Sequence, residues 1–122
     1  MVPLDFHPAY IDVREDDPVT RVSLKLSRLS EDENIELLGR ELFALVEQFG
    51  TRKVVLCLDN VNYATSAFLG KLITLHRKLH RNQGRLVICA VSDELAEILQ
   101  TSRLHTYFNS AATYEAAVES LR

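Results

Sequence analysis

Hydrophobic and polar residues change their spacing along the chain, and each change marks a predicted element. Apolar and polar residues alternate from Ile11 to Arg14 and again from Val22 to Leu26, which is the pattern of half-buried strands. The stretch "EDDP" between them is typical of a turn. The sequence therefore predicts a hairpin at the start of a sheet.

Spacings of three and four residues replace the alternation in the next segment. They predict one helix with a single apolar stripe, formed by Ile35, Leu38, Leu42, Leu45 and Phe49. Ser30 is followed three residues later by Glu33, which together predict a capping box at the helix start. Gly50 can end the helix, because glycine readily adopts the left-handed conformation that follows a helix.

The second half of the chain alternates apolar runs with helical stripes. The runs "KVVLCLD" and "RLVICAV" predict strands that are buried on both faces. Helices are predicted at 67–82, where "NQG" closes the helix, after Ser92 as the cap of a third helix, and at 113–121. A brief strand is expected around Tyr107 and Phe108. The order β-β-α-β-α-β-α-β-α predicts an α/β domain, with a mostly parallel sheet of four to five strands, an N-terminal hairpin and about four helices.

Composition fits one soluble domain that spans residues 1–122, since 47% of the residues are apolar and 25% are charged. The apolar runs are too short to cross a membrane, and "MVPLDFHPAY" lacks the features of a secretion signal, so we expect a cytoplasmic protein. The net charge of −3 argues against general nucleic-acid binding. The basic segment 71–85 also lacks the interleaved aromatic residues that such binding favours.

Cysteine and histidine residues give only weak indications of a metal or cofactor site. Cys57 and Cys89 lie inside apolar runs without a CxxC motif, so we expect buried free thiols, with a disulfide or a metal site as the alternatives. His76 and His80 are four residues apart and could share a helix face as metal ligands, but no HExxH motif joins them. We expect them to be basic and partly exposed, and we expect no cofactor.

The stretch "NYATSAFLGKL" places small hydroxyl residues between a predicted strand and a predicted helix. A catalytic serine at such a turn needs the frame Gly-x-Ser-x-Gly, which is missing around Ser66, and spacing ties no histidine–acid pair to it. No glycine-rich phosphate-binding loop is present either. We therefore expect a protein that is not an enzyme.

The same stretch is suited to receive an anion or a partner. Thr65 stands at the predicted N-cap and Ser66 at the first helical position, where free backbone N–H groups and the positive end of the helix dipole favour a negative charge. Gly70 lies one turn further on the same face. Either a partner approaches Ser66 closely over this glycine, or the stretch is only a helix cap followed by a tight helix-packing site at Gly70.

The segment "VNYATSAFLGKL" resembles the signature of STAS domains, the anti-sigma factor antagonists of bacteria. The matching residues are Asp59, Val61, Tyr63, Ser66, Leu69 and Gly70. "RLSEDEN" resembles the approach to the first helix of the family, and "RLVICAVSDELAEILQTSRLHTYF" resembles its later strand and helix. The resemblance extends from about Ala9 onward, so the core of the domain is expected at about 9–122.

This resemblance implies an interaction with an anti-sigma factor that is also a serine-protein kinase. In the family, the serine that matches Ser66 is phosphorylated by that partner, and phosphorylation ends the interaction. Ser66 is therefore the implied phosphorylation site, with Thr65 as an alternative. The implied partner-binding residues are Asn62, Tyr63, Thr65, Ser66, Ala67, Gly70 and Lys71.

Three positions depart from the family pattern. Thr65 replaces an acidic residue, Ala67 replaces a second hydroxyl residue, and Phe68 replaces a glycine. Binding to a partner therefore follows from the resemblance more directly than regulation by phosphate. Two alternatives remain: an unphosphorylated STAS subunit of a stress-signalling or lipid-transport complex, and a STAS module that senses a small ligand or nucleotide. A homo-oligomer is also left open.

Overall fold

A computed structural model describes residue 3, residues 5–29 and residues 32–122. The elements run in the order β1 (Ile11–Asp16), β2 (Val19–Leu24), β3 (Arg28–Leu29), α1 (Asp32–Glu47), β4 (Lys53–Cys57), β5 (Tyr63–Ala64), α2 (Ser66–Arg81), β6 (Arg85–Cys89), α3 (Asp93–Thr101), β7 (Asn109–Ala111) and α4 (Tyr114–Leu121). No helix among these residues is long and apolar enough to span a bilayer.

The main sheet has the strand order β1-β2-β4-β6-β7. Strands β1 and β2 form the predicted antiparallel hairpin, and the other neighbouring pairs are parallel. This arrangement confirms the predicted α/β fold with four helices. The predicted brief last strand is present, but it runs from Asn109 to Ala111 and so begins just after the expected position: Phe108 is buried directly before the strand and Tyr107 is exposed.

A second, two-stranded parallel sheet joins β3 to β5, with Arg28 opposite Tyr63 and Leu29 opposite Ala64. Nothing in the sequence predicts this small sheet, because two residues per strand are too few to show a period. The small sheet holds the segment that leads into α2, and therefore positions the start of that helix.

Alternate side chains of the main sheet pack against different helices. The larger core lies between one face of the sheet and helices α1, α2 and α3. The smaller core lies between the other face and α4, and consists of Val19, Val55, Cys57, Val87, Cys89, Ala117 and Leu121. Parallel strands covered on both faces explain the continuous apolar runs of β4 and β6.

Helix α1 ends as its sequence predicts. Gly50 has a positive φ of 67°, and the N–H of Thr51 donates to the carbonyl of Leu45 at 2.8 Å, which closes the last turn. Phe49 lies beyond the helix end, where its ring contacts that of Phe6 at 4.9 Å between centroids. The predicted capping box depends on Ser30 and on the side chain of Glu33, which lie outside the described residues.

Helix α2 ends in a similar turn, but with its glycine in a different role. Gln83 has the positive φ, 62°, and the N–H of Gly84 donates to the carbonyl of Leu79 at 2.6 Å. A Cβ atom on Gly84 would lie only 2.4 Å from the carbonyl oxygen of Arg52. Gly84 is therefore required because its backbone passes close to that of Arg52, the residue directly before β4.

Candidate functional site

The junction between β5 and α2, defined here as residues 62–71, is held in place by backbone hydrogen bonds. The N–H of Asn62 donates to the carbonyl of Ser27 at 2.9 Å, and the N–H of Thr65 donates to that of Leu29 at 3.0 Å. These bonds flank the short β3–β5 ladder. The junction therefore has a defined backbone although it lies at the surface.

Ser92 fixes the junction from the other side. Its Oγ accepts a hydrogen bond from the N–H of Leu95 at 3.2 Å, which confirms the predicted cap of α3. The same hydroxyl donates to the carbonyl of Val61 at 2.8 Å, directly before the junction. One side chain thus joins the start of α3 to the chain that enters α2.

Ser66 is the first residue of α2 and its side chain is exposed. Thr65 has the extended backbone of an N-cap, with φ −85° and ψ 170°, as predicted. Its hydroxyl makes no capping bond, however, and Thr65 Oγ1 is buried without a hydrogen-bond partner among the described residues. The side chain of Thr65 therefore accepts no hydrogen bond from the backbone N–H groups of the first turn. These N–H groups lie around Ser66.

Gly70 is exposed on the same side of α2 as Ser66. A Cβ atom at this position would have no atom of the described chain within 4 Å. The interpretation of Gly70 as a tight helix-packing site is therefore wrong. Its missing side chain leaves open space next to Ser66.

The remaining predicted binding residues differ in solvent exposure and in their contacts within the chain. Asn62 and Ala67 are exposed, and Tyr63 retains 37% of its accessible surface. Lys71 is only partly exposed: its Nζ lies 2.9 Å from Oε1 of Glu36. The hydrogen bond and the positive charge of Lys71 lower the pKa of Glu36. Lys71 is thus paired within the chain, which its sequence position does not reveal.

Arg28 also belongs to this surface, although its sequence position did not predict it. Its Cζ lies 4.5 Å from the centroid of the Tyr63 ring, in a cation–π contact across the β3–β5 ladder. The two residues are far apart in sequence, and no motif marks Arg28. The contact places a positive charge against the aromatic side chain at the edge of the junction.

The histidine pair lies elsewhere, on the C-terminal half of α2. The rings of His76 and His80 are stacked with centroids 6.4 Å apart. The His76 ring also packs against the Tyr107 ring, with 5.1 Å between their centroids. Burial, with a smaller contribution from His80, lowers the pKa of His76. His76 is partly exposed and His80 is exposed, in agreement with the predicted exposure of the pair. Within the described ranges, no group of three or more His, Cys, Asp or Glu residues could hold a metal ion.

Comparison with known proteins agrees with this architecture. The STAS domain model matches residues 10–117. BtrV of Bordetella bronchiseptica, designated an anti-sigma factor antagonist, is 34% identical over 89 residues, which cover 73% of this chain and 76% of BtrV.

Two solved structures superpose on most of the chain. A STAS domain protein of Planctomyces limnophilus has a TM-score of 0.83 and 25% identity, and the match covers 93% of this chain and 98% of that one. Phosphorylated SpoIIAA of Bacillus has a TM-score of 0.68 and 17% identity, with 92% and 99% covered. The chain therefore belongs to the STAS domain family, among the anti-sigma factor antagonists.

Proposed function

We propose that this protein is an anti-sigma factor antagonist that binds a serine-kinase anti-sigma factor through the junction, and that phosphorylation of Ser66 ends this binding. The observation that carries the proposal is the exposed hydroxyl of Ser66 at the start of α2, beside the open space over Gly70. The protein acts as a binding module in the cytoplasm, where sigma factors act, and it has no catalytic role of its own.

The shape of the junction supports a docking surface. Ser66, Ala67 and Gly70 form a shallow exposed face of α2 without large side chains, and Tyr63 stands beside it, partly exposed. Partly exposed tyrosine is a frequent anchor in protein interfaces. Since the backbone is fixed by hydrogen bonds from two sides, little conformational entropy is lost when a partner binds.

The electrostatics of the junction support a phosphate switch. A phosphate on Ser66 would add a charge of about −1.5 to −2. The N–H groups at the start of α2 can donate hydrogen bonds to the phosphate oxygens, so the helix need not unfold. Lys71 already pairs with Glu36, so the nearest lysine along the helix does not neutralise the added charge. That charge would then have to be desolvated against the partner, which weakens the complex.

Burial favours Ser66 over Thr65 as the phosphoryl acceptor. Thr65 Oγ1 is buried, whereas the side chain of Ser66 is exposed. A kinase must reach the hydroxyl that it modifies, so Thr65 would require local opening of the helix start. The solved phosphorylated form of SpoIIAA is consistent with a phosphoryl group on a protein of this fold.

The first experiment identifies the partner and the modification together. The full chain is used as bait in a lysate of its source organism, the captured proteins are identified by mass spectrometry, and the complex is incubated with ATP. We expect an anti-sigma factor with a kinase domain, release of that factor after ATP addition, and a phosphate mapped to Ser66. A retained complex without phosphorylation would contradict the switch and favour an unphosphorylated STAS subunit.

Substitution of Ser66 tests the switch directly. We expect Ser66→Asp to weaken partner binding at least tenfold, which corresponds to about 1.4 kcal/mol, and Ser66→Ala to retain it. Ser102→Asp is the control for an added charge away from the junction, since Ser102 is an exposed serine at the C-terminal end of α3. Equal affinities of Ser66→Asp and Ser66→Ala would contradict the proposal.

A further inference from the structure

A second chemically distinctive site lies on the other face of the main sheet, beneath α4. Cys57 of β4 and Cys89 of β6 are direct neighbours across the parallel ladder, and their sulfur atoms are 3.4 Å apart. Both thiols are free, and the two residues are 3% and 0% exposed. The prediction of buried free thiols is confirmed, but the sequence did not show that the two are in contact.

The two sulfur atoms have different electrostatic surroundings. The Cys89 thiol donates a hydrogen bond to the Cys57 sulfur, which favours the ionised form of Cys57. A hydrogen bond from Arg21 and the positive charge of Arg21 favour the same form. These contacts outweigh burial and lower the pKa of Cys57, while the same hydrogen bond and burial raise the pKa of Cys89. Cys57 is therefore the thiol that ionises more readily of the two, and the thiolate is the nucleophilic form of cysteine.

We propose that Cys57 and Cys89 form a site of reversible oxidation, at which hydrogen peroxide converts the two thiols into a disulfide. The Cys57 thiolate attacks one peroxide oxygen, the O–O bond breaks, and the departing hydroxide takes up a proton to form water. Cys57 is then a sulfenic acid. The Cys89 sulfur attacks it, the S–S bond forms, and the sulfenic hydroxyl leaves with the Cys89 proton as a second water.

The strand geometry allows this bond without a change of fold. Neighbouring strands lie about 4.8 Å apart, which is within the usual Cα–Cα range of disulfides. Cys57 and Cys89 are in register, and both side chains point to the α4 face of the sheet. Only the two sulfur atoms need to approach each other.

Helix α4 controls access to the pair. Ala117 and Leu121 pack in the same small core as the cysteines. At the start of the helix, the ring of Tyr114 lies over Arg21 at 4.2 Å, and its hydroxyl donates to Oδ2 of Asp16 at 2.7 Å. Because α4 has only eight residues and packs through the small core alone, its detachment is a low-energy opening compared with global unfolding. Oxidant therefore reaches Cys57 when α4 opens.

The test uses the reduced full-length chain and hydrogen peroxide. Intact mass and peptide mapping without reductant should show the loss of two hydrogen atoms and a Cys57–Cys89 linkage, both reversed by dithiothreitol. Cys89→Ser should instead accumulate a sulfenic acid on Cys57 that dimedone traps. If the folded wild-type chain stays unmodified while the urea-unfolded chain is oxidised, the thiols are inert core residues and the proposal fails.

Two further variants examine the surroundings of the thiols. Tyr114→Ala removes the contacts that hold the start of α4, so it should speed oxidation severalfold. Arg21→Gln removes the cation beside Cys57 and also the contact with Tyr114, so alkylation of its Cys57 thiol at neutral pH should be slower than in Tyr114→Ala, where the cation remains. An oxidation rate that Tyr114→Ala leaves unchanged would overturn the role of α4 as the cover. None of these measurements involves the junction, so they are independent of the proposed function.

Discussion

The two ends of α2 differ in how far the chain satisfies their backbone groups. At the C-terminal end, the N–H of Gly84 closes the last turn onto Leu79, and the side-chain amide of Asn82 donates to the carbonyl of Lys78 at 2.7 Å. At the N-terminal end, the hydroxyl of Thr65 makes no such bond. The closed end serves the fold, and the end without a side-chain cap remains available to a ligand or partner.

The two glycines of this region show the same contrast. An added methyl group at Gly84 would meet the backbone of Arg52 at 2.4 Å, whereas one at Gly70 would meet nothing within 4 Å among the described residues. Internal packing thus explains Gly84 and does not explain Gly70. The proposed approach of a partner over Gly70 would account for this difference.

The largest effect on folding is expected at the closed end. Gly84→Ala should lower the free energy of unfolding by about 3 kcal/mol, because the new Cβ atom forces the backbone of the α2–β6 turn away from Arg52. Urea denaturation monitored by circular dichroism measures this loss. Gly70→Ala is the matched control and should gain up to about 1 kcal/mol from its higher helix propensity. Similar losses in both variants would remove the contrast between the two ends.

The next effect concerns binding at the open end. Gly70→Gln should weaken the proposed partner complex at least tenfold, about 1.4 kcal/mol, because the new side chain fills the space over which the partner approaches Ser66. The free energy of unfolding should not fall. Isothermal titration calorimetry with the captured partner measures the affinity, and undiminished affinity would place the interface elsewhere.

Ser92→Ala should weaken the support behind the junction. The substitution removes the cap of α3 and the bond to Val61, so we expect a loss of about 1 to 2 kcal/mol in the free energy of unfolding. Hydrogen exchange should quicken at the junction amides. Thr113→Ala is the comparison, since Thr113 caps α4 through Ala116 without a second bond to another segment. An equal cost in the two variants would show that the bond to Val61 contributes nothing.

The smallest effect is expected at Thr65. Thr65→Val keeps the shape of the side chain and removes a buried hydroxyl that has no partner in the described part of the chain, so stability should rise by about 0.5 to 1 kcal/mol. Thermal unfolding of the purified variant is the measurement. A loss of stability instead would show that the hydroxyl caps α2 in solution.

The parts of the fold that the sequence predicted are those with repeated local patterns. The stripe from Ile35 to Leu45 and the apolar runs of β4 and β6 extend over enough residues to show a period. The β3–β5 ladder has two residues per strand and shows none. Phe108 suggested a strand because aromatic residues favour strands, but it is buried in the turn before β7.

The same division applies to the candidate site. Thr65, Ser66 and Gly70 are close in sequence at one helix start, so their relative positions follow from helix geometry. The contact of Arg28 with Tyr63 joins segments that only the folded chain brings together. Contacts of this kind depend on which strands become neighbours, and the pairing of two-residue strands cannot be predicted from a single sequence.

The exposed face that includes Ser66, Ala67 and Gly70 projects side chains that the described fold does not use for its own core. Its support comes instead from main-chain bonds and from Ser92 behind it. These exposed positions can therefore be varied almost independently of foldability. A library that varies these outward positions can search for new recognition on an unchanged scaffold.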